Sequence, residues 1–141
     1  MPLLAPLGFL LAFMLTIAVV LTNLKLAIQT TTMKNTLSDA YKAAALYGSL
    51  HTTSFNVATG TNEITGGSPA YARKSLSWGA SAAGVVSTSA TVFDVGSGVT
   101  VIGAGIWSAV TAGTYLDGAN VTSQAFASQG TYSVTYTYTQ T

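Results

Sequence analysis

From Thr131 to Thr139 the chain alternates without a break, as Thr-Tyr-Ser-Val-Thr-Tyr-Thr-Tyr-Thr. Tyr132, Val134, Tyr136 and Tyr138 fall on one side, hydroxyl residues on the other. A period of two, carried by aromatic and β-branched residues, fits a half-buried strand and not a helix. The rest of the chain after Leu50 has the same character. Val99 to Ser108 is apolar at both parities and reads as a central strand, with Gly103 and Gly105 marking a bulge or a close backbone approach. Further strands are expected over Leu50–Phe55, Ala70–Trp78, Thr88–Val95, Gly113–Leu116 and Val121–Phe126. Turn signals separate them at Gly60-Thr61-Asn62, Gly66-Gly67-Ser68-Pro69, Gly96-Ser97-Gly98, Asp117-Gly118 and Gln129-Gly130. The expected fold is mainly β, a sandwich or jelly-roll-like domain over residues 49–141.

Two segments precede it. Residues 33–48 read as a short amphipathic helix, with Thr36 and Asp39 as a capping-box-like start and Gly48 as the stop. Leu37, Tyr41 and Ala44 form its apolar stripe. Residues 1–32 form an apolar N-terminal segment, and Pro2 to Thr22 contains no charged residue. About 20 such residues span a hydrocarbon core of roughly 30 Å, so this run is transmembrane-like. Three readings stay open for it: a retained anchor, a cleaved secretory signal, or an upstream stretch that is not translated because synthesis starts at Met33. A membrane is a partner only if residues 1–32 are translated and retained. With Lys25, Lys34 and Lys42 after the run, an anchor would place the β domain on the cytoplasmic side.

The chemistry available is sparse. Only 6% of the 141 residues are charged, the net charge is +1 and there is no cysteine. Such a chain has no basic field for nucleic acid and no thiolate for a metal or disulfide. His51 is the single histidine, and a triad would need it beside a serine and Asp94 or Asp117. No Gly-x-Ser-x-Gly elbow accompanies it. Asp39, Glu63, Asp94 and Asp117 are scattered, with no spacing that pairs two carboxylates for glycoside hydrolysis. No catalytic residue, cofactor or metal ligand is expected. Trp78, Trp107, Tyr132, Tyr136 and Tyr138 are the residues whose rings offer contact to a glycan or a protein partner, or fill the core. The C-terminal strand itself is also a candidate for subunit pairing along its edge.

Several stretches carry a resemblance. They are Leu37-Ser38-Asp39-Ala40-Tyr41-Lys42-Ala43, Ser49-Leu50-His51-Thr52, Thr61 to Lys74 (TNEITGGSPAYARK), Val92-Phe93-Asp94-Val95, Ile106-Trp107-Ser108-Ala109, Gly113-Thr114-Tyr115-Leu116 and Ala127 to Tyr132 (ASQGTY). In this order they resemble a family of small bacteriophage tail-fibre or minor virion structural proteins. The resemblance implies a β-rich, non-enzymatic virion domain acting in particle assembly or host attachment. It implies partners among other virion proteins and copies of itself, a trimer if the assembly is fibre-like, and a host-surface glycan if the domain attaches. It does not imply a membrane span, and Thr53 to Gly60 departs from the family's usual short turn. Glu63 and Arg73 flank the Gly-Gly-Ser-Pro turn and are expected to pair across it as an exposed, register-setting ion pair of about 0.2–1 kcal/mol.

Overall fold

The computed structural model describes residues 30–141. The apolar run Pro2 to Thr22 lies outside the described residues. Among those described, no helix is long and apolar enough to cross a membrane. The fold is mainly β: one helix, α1 (Thr31–Ala44), precedes eight strands. These are β1 (Tyr47–His51), β2 (Lys74–Ser75), β3 (Val85–Ser87), β4 (Thr91–Val95), β5 (Val99–Trp107), β6 (Tyr115–Phe126), β7 (Gly130–Val134) and β8 (Thr137–Thr139). A four-stranded antiparallel sheet in the order β2-β1-β5-β6 shares its core with the two-stranded sheet β4-β7, and a second two-stranded sheet, β3-β8, meets α1.

β5 is one of the two inner strands, as its two-sided apolar sequence requires, and the register shift between Val101 and Gly103 puts an irregularity at the expected glycine. The core joins Leu50, Val101, Ala104, Ile106 and Phe126 of the large sheet to Phe93, Val95 and Val134 of the β4-β7 pair. Each large side chain fully buried here contributes about 1.5–3 kcal/mol relative to exposure.

The helix begins and ends earlier than the spacing predicts. Thr30 is the N-cap, its hydroxyl accepting from Met33 N at 3.3 Å. Thr36 instead donates back to Thr32 O at 2.9 Å, the usual habit of a threonine inside a helix. The fully buried member of α1 is Ser38, whose hydroxyl returns to Lys34 O, while Ala44 of the expected stripe is exposed. Gly48 does not stop the helix. It sits in β1, where a Cβ would come within 2.7 Å of the Tyr136 hydroxyl oxygen, so close packing selects glycine here.

The strand boundaries also move. The alternating C-terminal run is two strands: β7 pairs with β4 through Val134, and β8 pairs with β3 from Thr137. Between them Tyr136 exchanges hydrogen bonds with Thr88, its N–H donating to the Thr88 hydroxyl (3.0 Å) and its C=O accepting from Thr88 N (2.9 Å). The run changes partner strand without changing which side faces the core. Asp117-Gly118 is no hairpin turn. Both residues lie inside β6, paired with Ile106 and Gly105, and Asp117 Oδ1 accepts the Gly118 N–H at 2.8 Å. The β5–β6 turn is Ser108–Thr114, where Ala112 and Gly113 take positive φ and the two ends close by Ser108 N to Thr114 O at 3.0 Å. The strand expected over Ala70–Trp78 shrinks to β2, and β3 forms where none was expected.

Candidate functional site

The richest polar cluster is built on β1 and β5. Ser49 and His51 are two apart on β1 and share a face; both are fully buried. Ser49 Oγ lies 2.8 Å from His51 Nε2 and accepts from Trp107 Nε1 at 3.0 Å. His51 Nδ1 lies 2.9 Å from the Thr61 carbonyl oxygen, which assigns the proton to Nδ1 and leaves Nε2 to accept from Ser49. Gly105 stands opposite Ser49, and a Cβ there would lie 2.6 Å from His51 Nε2. The glycine seen in the sequence makes the room for this pair.

A serine beside a histidine is the arrangement a nucleophilic hydrolase uses. Here the third group is a backbone carbonyl, and the pair is closed to substrate. Asp94 and Asp117 are elsewhere, the first held by Lys74 (3.1 Å) and the second by the Tyr41 hydroxyl (3.1 Å). Asp39 pairs with Lys42 at 2.8 Å. Each of the four carboxylates has its own partner, and among the described residues no group of three metal-ligating side chains comes together.

Burial holds the His51 pKa below its ordinary value; the Thr61 carbonyl and Glu63 act in the opposite direction and Arg73 adds to the lowering. A histidine lowered in the folded state contributes stability that is present above the unfolded value of about 6.5 and is lost as pH falls from there through the folded value. Urea midpoints are therefore expected to fall between pH 7.5 and pH 5. A His51→Asn variant, weaker at neutral pH, is expected to show a flatter profile over that interval; an equal slope in both proteins would assign the loss to other groups.

Glu63 and Arg73 do pair, but not as an exposed ion pair. Their side chains are 18% and 10% exposed, and the guanidinium meets the carboxylate at two points, Nε to Oε1 at 2.8 Å and Nη2 to Oε2 at 2.7 Å. Nη1 donates to the carbonyls of Ala109 and Ala112, pinning the β5–β6 turn. The guanidinium carbon lies 3.6 Å from the centre of the Trp107 ring. Tyr71 completes the cluster, donating to Glu63 Oε1 at 3.2 Å and accepting Leu50 N–H at 2.8 Å. This network fixes three loops and holds no open acid or base. No motif in the sequence announces it; the one usable signal was the pairing of Glu63 with Arg73.

The five aromatic residues separate. Trp107 belongs to the arginine cluster, and Tyr136 is buried with its hydroxyl donating to Ser49 O. Tyr132 donates to Thr122 O at 2.8 Å. Trp78 and Tyr138 meet around Tyr41, Tyr138 stacked at 4.0 Å and Trp78 edge-on at 5.9 Å. Tyr41, which the sequence reading placed only in a helix stripe, thus joins α1 to β8 and, through Asp117, to β6.

Beside Tyr41 the structure opens. A groove of about 280 Å³ is left there, floored by Ala104, Ile106, Ala119 and Val121 and walled by Val134 and Tyr136.

A family model described as podophage GP4 fiber I protein gp80 matches residues 24–138. No curated protein and no solved structure matches the chain.

Proposed function

The chain belongs to the podophage GP4 fiber I protein gp80 family, and we propose on that basis that it is a non-enzymatic structural subunit of a phage particle, working in fibre assembly or host attachment. The observation that carries this reading is the match over residues 24–138, which takes in nearly all of the described fold. The geometry supports it. The one serine–histidine pair is sealed, and the ionisable side chains Glu63, Arg73, Lys74 and Asp94 are engaged with each other and with loops. A surface with few charges, built from threonine, serine and small residues, suits a subunit that covers much of itself in an assembly. Mass spectrometry of purified particles is the test. Peptides from residues 34–141 are expected in stoichiometric amount; their absence from particles of a phage that expresses the chain overturns the proposal. Peptides from residues 1–32 in the same sample separate a retained N-terminal segment from a Met33 start, and so bear on membrane anchoring.

A second reading is contact with a host-surface glycan through Trp78, Tyr132 and Tyr138; the buried Tyr136 and the arginine-covered Trp107 have no part in it. Its support is the partly exposed cluster of Trp78 and Tyr138 around Tyr41, since stacked rings offer apolar faces to a sugar. Trp78→Ala is expected to lower adsorption of particles to host cells under this reading and to leave it unchanged if the cluster only holds α1.

A further inference from the structure

Asp117-Gly118 is the one place in the chain where an aspartate precedes a glycine; Asp39 and Asp94 are followed by Ala40 and Val95, and no Asn-Gly occurs. The pair lies inside β6, at the edge of the large sheet, and Asp117 is exposed. The amides of an antiparallel edge strand point alternately toward the partner strand and away from it. The Gly118 N–H belongs to the second set and donates to Asp117 Oδ1 at 2.8 Å. The other carboxylate oxygen, Oδ2, accepts from the Tyr41 hydroxyl at 3.1 Å, so the carboxyl is held from both sides. Packing demands glycine at 118: a Cβ there would collide with the Tyr115 hydroxyl oxygen and stand 2.8 Å from Ala104 O. The fold thus fixes an unhindered amide beside a carboxyl carbon.

We propose that Asp117-Gly118 is a self-modifying site at which the folded chain forms isoaspartate. Gly118 N attacks Asp117 Cγ, and the new C–N bond closes a five-membered succinimide. One carboxyl oxygen leaves as water, taking the amide proton and the carboxyl proton. Water then adds to either ring carbonyl. Opening at Cγ restores aspartate. Opening at the main-chain carbonyl carbon leaves the chain running through Cβ and Cγ, with a free α-carboxylate. One water leaves and one returns, so no co-reactant is needed and the mass is unchanged. Two features of the fold favour the step. Nucleophile and carboxyl are already in hydrogen-bond contact, which removes most of the search an open chain must make. The bare Cα of Gly118 leaves approach open, whereas the β-branched Val95 crowds the amide after Asp94. The product adds a methylene to the main chain of β6 between the partners of Ile106 and Gly105. It also draws the carboxylate away from Tyr41 and so unties α1 from β6. The chemistry is independent of the particle role.

Peptide mapping of the purified full chain after prolonged warm storage at mildly acidic pH tests it, with electron-transfer fragmentation to tell isoaspartate from aspartate at equal mass. Isoaspartate is expected at Asp117 and not at Asp39 or Asp94. Its rate in the folded chain is expected to equal or exceed that of the same chain unfolded in urea. A folded chain that keeps aspartate at 117 while the unfolded chain converts overturns the proposal, because the ladder to β5 then protects the bond. Tyr41→Phe releases Oδ2 and is expected to slow conversion in the folded chain by on the order of 3-fold, with the unfolded rate unchanged. An equal or raised folded rate overturns positioning by Tyr41. Asp117→Glu keeps the carboxylate but would need a six-membered ring, and is expected to give no isomer. A signal that persists in that variant comes from another residue and overturns the assignment. Hydrogen exchange on stored protein reads the structural effect: the amides of Tyr41 to Ala44 are expected to exchange faster in the isoaspartate form. Equal exchange in both forms overturns the untying of α1.

Discussion

Replacing Arg73 with alanine is expected to destabilise the domain by about 3–5 kcal/mol, the cost of leaving one member of a largely buried ion pair without the other. The size follows from what the guanidinium holds. Its removal strands Glu63, 18% exposed, with only the Tyr71 hydroxyl left to it. It frees the carbonyls of Ala109 and Ala112 and uncovers the face of Trp107. In a domain of this size the loss lowers the thermal midpoint by roughly 10 °C or more. Arg73→Lys keeps the charge but not the planar fork, so it is expected to recover only part of the loss. Calorimetry on the three proteins checks the order native, lysine, alanine. A lysine variant equal to the native protein would show that charge alone acts here.

Phe93→Ala is expected to cost a similar 3–5 kcal/mol for a different reason. Phe93 is fully buried, lies in the core between the β4-β7 pair and the large sheet, and runs nearly parallel to the Tyr71 ring at 6.4 Å. The cavity left by its ring has rigid strands on both sides and little means of collapse. The adjacent Val92 is 53% exposed, and Val92→Ala is expected to stay within about 0.5 kcal/mol. Urea unfolding of the pair separates the two effects. A Phe93→Ala loss as small as that of Val92→Ala would mean that the second layer does not press on the large sheet as described.

The mainly β class was legible because alternation and two-sided apolarity report burial directly, as at Thr131–Thr139 and Val99–Trp107. Boundaries were not. Asp117-Gly118 is a hairpin signal only when the chain must reverse there, and the long pairing of β6 with β5 outweighs that local preference. The capping preference of Thr36 yielded to Thr30, because a threonine inside a helix finds a carbonyl one turn back. The Glu63–Arg73 pair was readable as a pair, while its burial depends on Trp107 and the turn Ser108–Thr114, more than thirty residues away. Ser49 and His51 were visible as residues, and nothing in their spacing tells whether a solvent path reaches them.

The change of partner at Tyr136 has a consequence for how the chain is made. The last ten or so residues close both small sheets, and Tyr136 reaches back 87 positions to the carbonyl of Ser49. Contacts that distant are formed late, since loop closure must precede any return from them. A nascent chain lacking Gly130–Thr139 has β3 and β4 each without a strand to pair with. The domain therefore completes its fold only once Gly130–Thr139 has been made, and a truncation that removes this segment is expected to yield an aggregating product instead of a shortened subunit.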